Sequence, residues 1–285
     1  MKFLGNGITI DYEFFGPEGA PVVVLSHSLG SSSIMWAPQL PQLTEKFRVL
    51  CYDTRGHGGT SAPEGAYNLD QLGDDALALL DGMDLPRVHW VGLSMGGMIG
   101  QNLALRQNGR FKSLTLCDTS SQIPQSAWPI WDDRIATATS GGMAPLANGT
   151  MERWFTAPYL AGKPSSVDSI REQFLATPPA GFIGCCHALK QLDYLDQLHS
   201  IDLPTMIIVG EEDTGTPADQ VHAFAQRLGL LNQLFPMDSF VAASEAMHER
   251  IANSRLAVLP QAAHLANVEQ AEEFSKALMD FLNAQ

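Results

Sequence analysis

Val88-His-Trp-Val-Gly-Leu-Ser-Met-Gly-Gly97 is the stretch on which the reading of the chain turns. Its apolar, β-branched start runs straight into Gly92-Leu-Ser-Met-Gly96, and a helix-like stretch over residues 98–106 follows. Strand, sharp turn and helix in that order are the setting that a G-x-S-x-G nucleophile elbow requires. The turn has to be tight for the Ser94 hydroxyl to project from the end of the sheet. Side chains at Gly92 and Gly96 would collide with the neighbouring strand and helix. Ser94 also stands at a helix N-terminus, where free backbone N–H groups favour developing negative charge. Five-residue patterns recur by chance, so the competing reading is a glycine-rich turn without chemistry.

Outward from the elbow the chain alternates short apolar runs with helical ones. Residues 8–15 alternate like a strand and Gly16-Pro-Glu-Gly19 reads as a turn. Residues 22–25 and 47–52 are continuous apolar runs, the mark of buried strands. Residues 69–83 place Leu72, Ala76, Leu79 and Leu80 at helical spacing, and 113–117 is a further strand. This alternation predicts an α/β architecture with a mostly parallel, doubly wound sheet. After Asp118 the rhythm breaks. Residues 119–203 are helical or irregular and carry Trp128, Trp131, Trp154 and Phe155. Strand signals resume at 205–209 and 256–259, and a helix over 268–282 closes the chain. The expected organisation is a core of residues 1–118 and 204–285, with a helical cap, 119–203, inserted after the sixth strand. A cap over the sheet's carboxyl edge would cover Ser94, because open α/β sheets bind ligands there. Extra helical packing on a sheet face is the alternative.

Composition narrows the partners. The chain has 285 residues and 45% hydrophobic residues, enough for a sizeable core. A net charge of −14 repels nucleic acid and anionic membranes. No apolar run approaches the length of a membrane span, and Met1-Lys-Phe-Leu-Gly5 lacks the features of a signal peptide. A cytoplasmic location is expected. Cys51, Cys117, Cys185 and Cys186 have no metal-ligand spacing and are expected to be reduced, buried thiols. A dinucleotide-binding oxidoreductase is disfavoured, since no G-x-G-x-x-G follows the first strands.

Three further sites support the elbow. The strand ending at Val209 leads into Gly210-Glu-Glu-Asp213, and the strand ending at Leu259 leads into Pro260-Gln-Ala-Ala-His264. Serine, acid and histidine in this order are those of an α/β-hydrolase triad. A serine hydroxyl is a weak nucleophile until a base takes its proton. His264 would be that base, and Asp213 would hold its ring and stabilise its charged form. Glu211, Glu212 and Asp219 compete with Asp213; the remaining histidines read as structural or surface residues. The third site is His27-Ser-Leu-Gly30, after the first buried strand. Acyl transfer needs donors already aimed at the oxyanion. Met95, after the nucleophile, supplies one backbone N–H and Leu29 the other.

With these residues in place the chain resembles an α/β-hydrolase over nearly its whole length. Among these enzymes it is most similar to the 3-oxoadipate enol-lactonases, with esterases and perhydrolases behind them. The resemblance rests on Ser26-His-Ser-Leu-Gly30, Asp53-Thr-Arg-Gly-His-Gly58, Gly92-Leu-Ser-Met-Gly-Gly97 and His264-Leu-Ala-Asn-Val-Glu269. The cap adds Trp131-Asp-Asp-Arg-Ile135, Glu152-Arg-Trp-Phe-Thr156 and Thr177-Pro-Pro-Ala-Gly-Phe-Ile-Gly-Cys-Cys186. It implies a serine hydrolase, without metal or organic cofactor, that opens a small lactone in aromatic-acid breakdown through 3-oxoadipate. Two features depart from the family. Ser28 replaces the common glycine of the oxyanion loop, although serine also occurs there. The separation of Asp213 and His264 is longer, with the surplus around residues 230–251. That surplus is expected to bulge outward, lining the pocket, forming an oligomer contact, or doing neither.

The same triad serves carboxylesterases, perhydrolases and carbon–carbon bond hydrolases, while Ser94 disfavours an aspartate-nucleophile dehalogenase. A non-catalytic ligand receptor of this fold commonly lacks a triad residue, and none is missing here. A lactone of the 3-oxoadipate type carries a free carboxylate, so an acidic protein needs a local cation to bind it. The cap's cations are Arg134, Arg153, Lys163, Arg171 and Lys190. Arg134 follows Trp131 by one helical turn, so both are candidate substrate-binding residues, with Trp154. The alternative is that Arg134 is solvated or paired with Asp132 or Asp133.

Overall fold

The computed structural model describes residues 1–214 and 239–285. Within them lie strands β1 (Lys2–Gly5), β2 (Ile8–Phe15), β3 (Val22–Ser26), β4 (Arg48–Tyr52), β5 (Val88–Leu93), β6 (Phe111–Cys117), β7 (Thr205–Gly210) and β8 (Ser254–Leu259). They form one sheet in the order β1-β2-β4-β3-β5-β6-β7-β8. The pairs β1–β2 and β2–β4 are antiparallel and all other neighbours are parallel. A central parallel strand is covered on both faces, which is why β3, β5 and β7 are buried at every position. The edge strand β1 is half-exposed and gives no clear signal in the sequence.

Helices α1 (Leu40–Leu43), α2 (Leu69–Gly82) and α3 (Met95–Arg106) connect the first strands. Asn68 caps α2 by accepting the Gln71 N–H at 2.8 Å, and Leu72, Ala76, Leu79 and Leu80 form its buried face. Between β6 and β7 run α4 (Trp128–Gly141), α5 (Ala144–Trp154), α6 (Ala157–Ala161), α7 (Ser165–Ala176) and α8 (Pro179–Lys190). After β7 come α9 (Phe240–Arg250), α10 (Ala266–Glu269) and α11 (Ala271–Leu282). The expected single helix over 268–282 is thus two, because Gln270 leaves helical geometry at φ −119° and ψ 55°. Of the surplus between Asp213 and His264, residues 230–238 lie outside the described residues, and α9 begins just beyond them.

The inserted helices lie against loops at the carboxyl ends of the strands. On the far side of β4, Gly56 at φ +81° touches Gly181 so closely that a Cβ would stand 2.3 Å from the Gly181 Cα. Beyond β3, Ser32 Oγ donates to Gln173 at 3.1 Å. After β8, Leu265 N–H donates to the Trp154 carbonyl at 3.0 Å. The cysteines are free and buried. No helix of the described residues is long and apolar enough to cross a membrane.

Candidate active site

Ser94 occupies the turn between β5 and α3 at φ +54° and ψ −114°, a conformation a non-glycine residue adopts only when its surroundings enforce it. Two close approaches enforce it. A Cβ on Gly92 would stand 2.1 Å from the Gly96 carbonyl oxygen, and one on Gly96 would stand 2.1 Å from that of Ser26. The Ser94 N–H donates to the Cys117 carbonyl at 2.8 Å, which ties the elbow to the end of β6.

His264 and Asp213 meet after β8 and β7. His264 Nδ1 lies 2.8 Å from Asp213 Oδ2. Asp213 is 0% exposed and both His264 and Ser94 are 7% exposed, so the three are shielded without being sealed. The nearby Glu211 and Glu212 are solvent-exposed, while Asp219 lies outside the described residues. The two loops are held together by the Glu212 N–H, which donates to the Ala262 carbonyl at 2.8 Å. Behind them Asp118 Oδ1 accepts the Gly210 N–H at 2.8 Å, whereas its buried Oδ2 has no partner among the described residues. Burial, reinforced by the charge of Asp213, pushes the Asp118 carboxyl far above the ordinary carboxylate range.

The loop after β3 shows which N–H groups remain available. Ser28 N–H points to Met35 Sδ at 3.4 Å, and Gly30 N–H donates to His57 Nε2 at 2.9 Å. Around the elbow, Gly96, Gly97 and Met98 all donate to backbone carbonyls. The N–H groups of Leu29 and Met95 have no acceptor among the described residues. His27 and His57 support this loop, and the sequence reading had no means of assigning them that role. His27 Nδ1 donates to the Ser28 carbonyl at 2.8 Å and its Nε2 accepts the Thr54 N–H at 2.8 Å. Each ring uses one nitrogen as donor and the other as acceptor, so both are neutral, with tautomers assigned from the network. Burial lowers the affinity of both rings for a proton, and for His57, with repulsion between the protonated forms of the two rings adding to it, to a pKa of about 3.

In the cap, the Arg134 guanidinium lies over the Trp131 ring, 4.9 Å from its centroid. Asp132 pairs instead with Lys190 at 2.5 Å, and among the described residues no carboxylate lies within ion-pair distance of Arg134. Trp154 is buried with its ring edge-on to Phe174, at 5.8 Å between centroids. Phe174 in turn lies beside Gly30, 2.8 Å from where a Cβ would stand. Glu269, a further residue that the sequence does not single out, joins the inserted helices to the loop that carries His264. Its carboxylate accepts the Ala263 N–H at 3.0 Å, the Thr156 N–H at 3.1 Å and the Thr156 hydroxyl.

An oriented imidazole, a serine on a strained elbow and two free N–H groups at one sheet edge are the parts needed for acyl transfer. A family model for the alpha/beta hydrolase fold matches residues 21–271. The 3-oxoadipate enol-lactonase 2 of Acinetobacter baylyi is 33% identical over 271 residues, 95% of this chain and 92% of that protein. The crystal structure of the enol-lactonase from Burkholderia xenovorans LB400 superposes with a TM-score of 0.87 at 35% identity, covering 99% of this chain and 100% of that one. A thermophilic esterase from Thermogutta terrifontis superposes at 0.84 with 25% identity, over 97% and 94%. On its sequence, its sheet and these likenesses, the chain belongs to the α/β-hydrolase family and is a hydrolase of that fold.

Proposed function

We propose that this hydrolase opens a small enol-lactone of the 3-oxoadipate type through a Ser94 acyl-enzyme. The observation that carries the reading is the Asp213–His264 pair, 2.8 Å apart, at the same sheet edge as Ser94 and two unoccupied N–H donors. His264 takes the Ser94 proton as the oxygen attacks the lactone carbonyl, and Asp213 holds the ring and steadies the imidazolium. Leu29 and Met95 N–H groups receive the oxyanion. Ring opening expels an enolate that remains part of the acyl chain. His264 protonates it, and it can tautomerise to the ketone. Water, activated by the same histidine, then releases a dicarboxylate and restores Ser94. Arg134, set over Trp131 and without an acid partner among the described residues, binds the carboxylate that the lactone carries, and Trp154 lines the cap side of the pocket. The likeness to enol-lactonases supports the choice of substrate.

Two measurements test the reading. The wild-type protein should consume the enol-lactone, followed by its ultraviolet absorbance, faster than simple aryl esters. Ser94→Ala should keep its circular dichroism and lose roughly 10⁴–10⁶ in kcat, since triad members act as a unit. Near-normal turnover by that variant would remove Ser94 from the mechanism. Preference for aryl esters would favour an esterase. Arg134→Ala should raise KM for the anionic lactone about tenfold more than for a neutral aryl ester, the scale of a charge-assisted hydrogen bond. Equal losses on both would count against carboxylate binding.

A further inference from the structure

We propose that Asp118 and Thr119 are positioning residues for the hydrolytic reaction: from one turn after β6 they hold both the elbow of Ser94 and the loop of Asp213. The catalytic roles of Ser94 and Asp213 rest on the proposed triad; the brace itself rests on hydrogen bonds and close contacts. Three consecutive residues make it. The Cys117 carbonyl accepts the Ser94 N–H at 2.8 Å. Asp118 Oδ1 accepts the Gly210 N–H at 2.8 Å. The Thr119 hydroxyl donates to the Ser94 carbonyl at 2.7 Å. Thr119 also fills the space beside Gly97, where an added Cβ would stand 2.8 Å from its side chain. Asp118 and Thr119 are both 0% exposed, so water does not compete for these bonds.

Gly210 is the point through which the brace acts on the acid and on the histidine. Its carbonyl accepts the Asp213 N–H at 3.1 Å, closing the turn that ends in the acid. A Cβ on Gly210 would stand 2.4 Å from the carbonyl oxygens of Ala262 and Ala263, so this residue is pressed against the loop that leads to His264. Any movement of Gly210 is therefore passed to Asp213 and to that loop together. The backbone of Asp118 is bent to reach it. Asp118 sits at φ +44°, in the left-handed region, with its N–H donating to the Ile208 carbonyl at 2.8 Å. Strain of this kind persists only where the surroundings enforce it, and it gathers at functional sites. A strand can end without such a bend and without a buried carboxyl. Burial, and then the Asp213 charge, favour the protonated form of this carboxyl. A neutral acid gives the Gly210 N–H its acceptor without bringing a second full negative charge to the acid loop. Asparagine is its isostere in that role, whereas alanine leaves the N–H unpaired.

The test uses purified full-length protein hydrolysing p-nitrophenyl acetate, with Ser94→Ala and Asp213→Asn as controls on the triad. Asp118→Ala should lower kcat about 10–100-fold and change KM less than about threefold, since catalytic groups are misplaced and binding is kept. Asp118→Asn should bring kcat back to within about threefold of wild type. Thr119→Val keeps the shape and loses the donor, so kcat should fall about three- to tenfold, and Thr119→Ser should recover it. The imidazole N–H resonance of His264, identified by its loss in His264→Ala, should shift in Asp118→Ala and return in Asp118→Asn. A tie that served stability alone would lower Tm and leave kcat and that resonance in place. If Asp118→Ala does not fold, Thr119→Val against Thr119→Ser carries the test. Full kcat in Asp118→Ala or Thr119→Val, or a loss in Asp118→Ala that asparagine does not recover, overturns the proposal. Turnover surviving in Ser94→Ala and Asp213→Asn would refute the triad, and the proposal with it. Their inactivity beside full kcat in Asp118→Ala would retain the triad and refute the brace alone.

Discussion

Replacing His57 by glutamine tests whether a buried neutral histidine holds the oxyanion loop. Both ring nitrogens are engaged: Nε2 accepts the Gly30 N–H at 2.9 Å and Nδ1 donates to the Arg55 carbonyl at 3.1 Å. The ring of His27 lies 5.2 Å away. An unfolded histidine titrates near 6.5, whereas burial, with repulsion from a protonated His27 as a lesser cause, brings folded His57 to about 3. Below pH 6.5 the unfolded chain therefore takes up a proton that the folded chain refuses. The contribution of His57 to stability is fully present above pH 6.5 and is lost as pH falls towards 3. At about 1.36 kcal/mol per pKa unit the loss totals on the order of 4–5 kcal/mol.

A glutamine amide oxygen can accept the Gly30 N–H, so His57→Gln should cost only about 1–2 kcal/mol at pH 7. It cannot take up the proton, so between pH 6 and 4 its stability should fall less steeply than the wild type's, by about 1.36 kcal/mol per pH unit. Carboxylates titrate alike in both proteins and cancel. His57→Leu leaves the Gly30 N–H unpaired, at about 1–3 kcal/mol, leaves the Arg55 carbonyl with only the Cys185 thiol at 3.6 Å, and frees the loop that carries Leu29. Complete loss of one oxyanion donor costs about 10²–10³ in rate, which bounds the fall in kcat for the leucine variant. Urea unfolding followed by tryptophan fluorescence at pH 7, 6, 5 and 4, with kcat on an aryl ester at pH 7, reads all of these. Identical pH slopes for wild type and His57→Gln, or full kcat in His57→Leu, would refute the reasoning.

Two other substitutions probe the frame around the triad. Gly96→Ala puts a Cβ 2.1 Å from the Ser26 carbonyl oxygen and 2.5 Å from its carbon, both backbone atoms of the central strand β3. It should destabilise by about 3 kcal/mol or more, seen as a lower Tm, and abolish activity. Glu269→Ala removes the acceptor for three donors linking Thr156 to Ala263, so kcat should fall with the orientation of His264. Glu269→Gln keeps an acceptor and should recover much of that loss, whereas equal kcat in both variants would show that the link does not orient the histidine.

Whether a residue of this site can be read from sequence depends on what places it. Ser94, Asp213 and His264 each follow a short apolar run, because the first two stand where buried strands end and the third stands just after edge strand β8, whose last residues stay apolar although only Leu259 is buried; chain order and local pattern suffice to place them at one edge of the sheet. The cap is legible for the same reason in reverse, as the place where strand periodicity stops. The residues that hold these groups obey no such rule. His57 reaches Gly30 across 27 positions, and Glu269 reaches Thr156 across 113. Neither separation leaves a period or a motif of its own. Edge strand β1 is obscure because one half of it faces water, so burial does not shape its composition. Arg134 marks the boundary between the two kinds. Sequence shows that the cap holds few cations, and helical spacing sets Arg134 beside Trp131. That Asp132 turns to Lys190, so that Arg134 has no carboxylate within ion-pair distance among the described residues, is a tertiary fact. Which acid a cation pairs with is decided by the fold, and such a pairing becomes visible only after the chain has folded.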